Sequence, residues 1–277
     1  MKTNGRHAVE KTTRRWASLV ALIALLQGCA TQLSVRPVTG SEDPDLPSQA
    51  AVLQFQRNSV APAQGDDFLD PAALRPGDIL LSSMPGLAAA GIRLMTFAPV
   101  SHVAVYIGGG QVVEAVRSGV RIRTIDEVLT EETWVLALRY PDLSPEQADR
   151  IRDYALGNLG AGFNFLGVTL HVPFSIGRRA CELPLVPLAV RDACIRGMGL
   201  IHQVAAGEDR VFCSQLVLQA YRHAGILITN ADPRLISPAD ILHMRKGDVS
   251  SVRIHRPLQQ VGHLKYGRIV TAALEQR

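Results

Sequence analysis

The formal net charge of this 277-residue chain is +4, and it is concentrated at one end. Lys2, Arg6, Lys11, Arg14 and Arg15 against Glu10 give residues 1–28 a net of +4, so the remainder is formally neutral. With no later Lys/Arg cluster interleaved with aromatics, nucleic acid is not an expected partner. No close Cys-x-x-Cys pair is present, which argues against a zinc site, and no cofactor is expected.

The basic start runs into "WASLVALIALLQGC", an apolar stretch shorter than the roughly 20 residues of a spanning helix. It ends in "LLQGC", which resembles the bacterial lipoprotein signal, although Gln27 fits its position imperfectly. The resemblance implies that residues 1–28 are removed, that Cys29 is lipidated, and that the membrane is a partner through this anchor. Ala30, rather than aspartate, follows the cysteine; by similarity to the sorting rule of enteric bacteria this implies the periplasmic side of the outer membrane. Residues 29–66 read as a flexible tether, in which "AVLQFQ" could touch the domain.

The folded unit is expected over residues 67–258. "RPGD" makes a turn, "ILL" begins a strand, and residues 87–97 form a short helix that stops before Pro99. Strands follow at about 101–107, 111–117 and 133–139. Ser144, Pro145 and Gln147 announce a capped helix with Ala148, Ile151, Ala155 and Leu159 on its apolar stripe. Residues 161–210 are apolar, glycine-broken and proline-rich, readable either as a packing loop or as the wall of a binding groove. Cys213 opens a helix that Gly225 ends, with Val217, Ala220 and Ala224 on the face below the cysteine. "SPADILH" is a capped turn, "VSSVRIHRP" a last strand, and residues 259–277 a tail.

Four cysteines are present: Cys29, Cys181, Cys194 and Cys213. With Cys29 lipidated, Cys181 and Cys194 could pair and leave Cys213 free; two buried neutral thiols is the other reading. A thiol in a helix's first turn meets unpaired N–H groups that favour its thiolate. Cys213 as a mere buried small hydrophobe is the alternative, and the hairpin upstream argues against it. In "SHVAVYIGGGQVVEA", a three-residue loop at Gly108–Gly110 sets Ala104 opposite Glu114 and His102 opposite Val116. His102 and Glu114 then become diagonal neighbours on one face, with Cβ atoms about 7 Å or less apart. A two-residue loop at Gly109–Gly110 sends them to opposite faces.

Cysteine, histidine and carboxylate make a set for covalent acyl transfer, with Cys213 as nucleophile, His102 as proton carrier and Glu114 as its orienting partner. His171 and His202 compete for the base role, whereas His223 lies too far down the cysteine helix. The Cys213 N–H is a natural oxyanion donor, and Ser101 and Gln215 are candidates for a second.

"LRPGDILL", "SHVAVYIGGGQVVEA" and "FCSQLVLQAYRHAG" are similar to the blocks of the NlpC-type papain-fold superfamily. There the cysteine helix usually comes first; here Cys213 follows His102. That permuted order and the lipoprotein start resemble the YaeF/YiiX-type family of cysteine peptidases, related also to lecithin retinol acyltransferase. The resemblance covers about residues 68–245. It implies an α+β, circularly permuted papain-like fold, a small antiparallel sheet packed against helices, with Cys213, His102 and Glu114 as the catalytic set. Many unpermuted relatives carry "MIHA" where this chain has "VVEA", so the guide to wall-peptide specificity is lost. The implied activity is a peptidase or amidase of the cell envelope. A lipid-directed acyltransferase or esterase, or a non-catalytic scaffold, remains as the alternative, so the substrate is an envelope peptide, an amide or an acyl lipid.

Overall fold

The computed structural model describes residues 30–37, 49–62, 68–96, 98–163, 177–178, 180–183, 185–203, 210–267 and 269–270. Cys29 and the signal segment lie outside them, as does His171.

Strands β1 (Thr31–Pro37) and β2 (Gln49–Phe55) form a separate antiparallel ribbon within the stretch expected to be a tether. Its base is fixed to the domain. Ala30 and Thr31 are buried, Gln56 Nε2 donates to Ser251 Oγ (2.9 Å), and the Arg57 N–H donates to Asp248 Oδ1 (2.8 Å).

The domain proper begins with β3 (Ile79–Ser82) and α1 (Leu87–Thr96), which ends three residues before Pro99. There follow β4 (His102–Gly108), β5 (Gln111–Val116), β6 (Gly119–Thr124), α2 (Ile125–Glu131) and β7 (Trp134–Arg139). The sequence reading passed over β6 and α2. Thr124 and Glu127 nonetheless form a reciprocal capping box that starts α2 directly from the strand end. Helix α3 (Pro145–Gly157) has the expected box between Ser144 and Gln147, and buries Ile151 and Ala155 of its stripe while leaving Leu159 exposed.

After β8 (Gly162–Phe163), the difficult region contains α4 (Leu188–Gln203), tied back by a disulfide between Cys181 and Cys194. Cys213 is the free cysteine among the described residues. Next come β9 (Arg210–Val211), parallel to β8, and α5 (Cys213–His223), stopped by Gly225 at φ 78°. Helix α6 (Pro238–Leu242) carries the Ser237 capping box. Residues 249–257 contain only an isolated bridge at Ile254, so no regular strand forms there. The last strands are β10 (Gln259–Tyr266) and β11 (Ile269–Val270), and the sheet thus extends beyond residue 258 into the segment read as a tail.

Seven strands pair antiparallel in the order β11-β10-β7-β3-β4-β5-β6. Val103, Val105, Val113, Leu136 and Leu138 face α3 and α5, meeting Ile151, Val217 and Ala220; Leu80, Tyr106, Val112 and Ala137 face Val128 and Leu129 of α2. Each such aliphatic side chain removed from water contributes about 1.5–3 kcal/mol. The result is an α+β fold, with an antiparallel sheet packed against helices and the cysteine helix following the strands, consistent with the permuted papain-like expectation.

Candidate functional site

The β4–β5 hairpin sets the geometry. Gly108 pairs with Gln111 across a two-residue turn at Gly109–Gly110, both at positive φ, which only glycine adopts without strain. By itself this turn would separate His102 and Glu114. One extra residue, Ile107, bulges out, so that Tyr106 pairs with Val112 and Val105 with Val113. The bulge restores the register expected for the longer loop, and His102 and Glu114 share a face. The Tyr106 hydroxyl accepts the Gly110 N–H (3.1 Å) and fastens the turn.

His102 Nε2 lies 2.8 Å from Glu114 Oε2, both side chains buried. Cys213, at the start of α5, lies close enough to the His102 ring to help hold it protonated. The structure therefore brings Cys213, His102 and Glu114 together. Phe212, the N-cap of α5, provides no side-chain cap bond, and Cys213 stands in the first turn, at the positive end of the helix dipole.

Charge explains how the buried set is tolerated. Burial opposes the His102 cation, but the hydrogen bonds and charges of Cys213 and Glu114 push its pKa up to about 10. Burial likewise opposes an ionised Glu114, yet the His102 hydrogen bond and charge, with Arg123 and Arg121 behind them, hold it down at about 2. Arg121 stands directly across from Glu114 in the β5–β6 register and its Nε donates to Oε1 (2.9 Å). Arg123, two residues on and buried, reaches Oε1 at 3.3 Å and also pairs with Glu131 (2.9 Å) and Glu132 (3.5 Å). Glu132 is a second buried carboxylate in this cluster, its pKa raised by burial.

These partners were missed in the sequence. The available signal was "RIR" in β6, two arginines on one strand face next to a strand with a buried carboxylate.

Of the other candidates, Ser101 Oγ accepts the Met84 N–H (3.0 Å), and Gln215 is buried in the first turn of α5 with an unpaired Oε1. His223 is exposed at the far end of α5, stacked near Tyr154. His202 lies in α4. No group of three or more His, Cys, Asp or Glu side chains suited to a metal occurs among the described residues.

A curated relative, the "Probable lipoprotein peptidase YaeF" of Escherichia coli strain K12, is 35% identical over 251 residues, covering 90% of this chain and 91% of the relative. The chain belongs to the YaeF/YiiX-type permuted papain-like family. Its family match spans both the hairpin and the cysteine helix, because the alignment leaves only a tenth of the chain uncovered. A solved structure, "metalloprotein yiiX from Escherichia coli O157:H7", is also similar, at 16% identity and a TM-score of 0.38 over 73% of this chain and 92% of that one. No family model matches the chain.

Proposed function

We propose that this protein is a cysteine-dependent hydrolase of amide or peptide bonds in the bacterial envelope, anchored through lipid on Cys29. The observation that carries the reading is the buried His102 ring, hydrogen-bonded to Glu114 (2.8 Å) and close enough to Cys213 for both to favour its cation. The similarity to a relative named as a probable lipoprotein peptidase supports both the activity and the anchor.

With its pKa near 10, His102 is an imidazolium at neutral pH, the partner a thiolate needs. Cys213 sulfur attacks the carbonyl carbon, and an unpaired first-turn N–H of α5 is the donor available to the developing oxyanion. The imidazolium then gives its proton to the leaving amine, the C–N bond breaks, and a thioester remains on Cys213. Neutral His102 next removes a proton from water, which attacks the thioester. The acid product leaves and the thiolate–imidazolium pair is restored. Glu114 holds the ring orientation through Nε2 and stabilises its charge, while Arg121 and Arg123 keep Glu114 ionised.

The protein and its Cys213→Ala variant, incubated with murein peptides and separately with bacterial phospholipids, test the reading by mass spectrometry. Cys213-dependent amide cleavage supports it. Cys213-dependent release or transfer of fatty acid from lipid alone replaces it with the acyltransferase or esterase.

A further inference from the structure

Eight of the eleven large hydrophobic side chains exposed among the described residues fall in two short segments. Four are on the ribbon: Leu33, Val35, Leu53 and Phe55. Leu33 pairs with Leu53, Thr31 with Phe55 and Val35 with Ala51, so they share one ribbon face. The other four, Leu183, Leu185, Leu188 and Val190, lie on the turn into α4 and its first residues. Surface leucines scattered singly require no explanation, but a concentration of this kind does.

The two segments are joined at the base of the ribbon. The Leu185 N–H donates to Thr31 Oγ1 (2.8 Å), holding Leu185 at φ 68°, a left-handed conformation rare for leucine, with its side chain 65% exposed. Arg191, almost fully buried in α4, donates through Nη2 to the carbonyls of Thr31 (2.5 Å) and Val186 (3.2 Å) and through Nη1 to that of Ser250 (3.2 Å). One rigid guanidinium thus fixes ribbon, turn and domain to one another, with no carboxylate among these three contacts.

What covers this surface is indicated by the place of the proposed lipid attachment. Ala30 is fully buried and its N–H donates to Gln56 Oε1 (3.0 Å). Cys29 is one peptide bond away, so a lipid attached there has no spacer between it and the apolar ribbon base. No helix among the described residues is long and apolar enough to cross a membrane.

We infer that the β1–β2 ribbon face and the Leu183–Val190 turn form a single membrane-seating surface that rests on the lipid bilayer beside the acylated Cys29. This rests on the anchor proposed above. It replaces a tethered domain with one held flat against the bilayer, the apolar side chains entering the headgroup–acyl boundary as a second binding signal beside the lipid.

Tryptophan placed on the surface reads this directly. Trp134 is buried, and the other tryptophan, Trp16, is in the signal segment. The full chain carrying Leu185→Trp, Val35→Trp or, at an exposed site remote in sequence, Leu227→Trp is purified from membranes. It is then mixed with phosphatidylglycerol-containing vesicles with and without brominated acyl chains. Bromine should quench L185W and V35W at least about threefold more than L227W. Equal quenching of all three overturns the inference, and so does a blue shift of L185W without bromine quenching, which signifies contact with protein instead. Mass spectrometry of the N-terminal peptide reads the anchor independently. Unmodified Cys29 removes the anchor, and quenching of L185W beyond that of L227W in that same material, where Trp16 is common to both, still supports the surface.

Discussion

Nε2 of His102 and Oε2 of Glu114 lie 2.8 Å apart in the interior, joined across a hairpin whose two-residue turn alone would have set them on opposite faces. The bulge at Ile107 makes the pair, and Arg121 and Arg123 then keep its carboxylate charged.

His102→Ala should lower turnover by about 10³-fold or more, because in the proposed mechanism the ring itself moves the proton. Glu114→Gln should leave measurable activity, since the ring and sulfur remain. It should also cost stability, because buried Arg123 loses one of its carboxylates. Steady-state rates of both variants on one active substrate check the ranking; wild-type turnover by a folded H102A shifts the base role elsewhere.

Stability should respond to pH through both members of the pair. His102 stands at about 10, above its ordinary 6.5, so its share is full below pH 6.5 and is lost as pH rises towards 10. Glu114 stands at about 2, below its ordinary 4.5, so its share is full above pH 4.5 and is lost as pH falls towards 2. The Tm advantage of wild type over the H102Q/E114Q double variant should therefore be widest between pH 4.5 and 6.5. An advantage that grows steadily from pH 6.5 to 9 contradicts this assignment.

The legible part of the fold was where pattern and local chemistry agreed. Ser144 and Gln147, Ser237 and Pro238, and the Cys213 helix ending at Gly225 all form as read. The hairpin register was reached through the wrong turn: alternation gave the paired faces, while a bulge leaves no composition signal of its own. Strand β10 was read as tail because its register slips twice against β7, at Gln260/Gly262 and His263/Lys265, and this erases the alternation of period two. Buried His263, bonded to the Val60 carbonyl (2.6 Å), looks polar in sequence although it lies inside. The ribbon went unread because its apolar side chains face outward, where alternation finds no core to explain it.

The Cys181–Cys194 disulfide closes a separation of 13 residues, and constraint of that loop in the unfolded chain contributes about 3 kcal/mol. Cys181→Ala/Cys194→Ala should lower the urea-unfolding free energy by about that amount and leave the site at α5 intact. Unchanged stability would show that the crosslink constrains nothing.

The central claim is a thioester on Cys213, and intact-protein mass during turnover tests it most directly. On a murein stem peptide that the protein cleaves, rapid acid quenching should trap a species heavier by the acyl fragment. That species should map to Cys213, release the fragment on treatment with hydroxylamine, and be absent from Cys213→Ala, which should form no product. Product formation by Cys213→Ala at the wild-type rate would contradict the account.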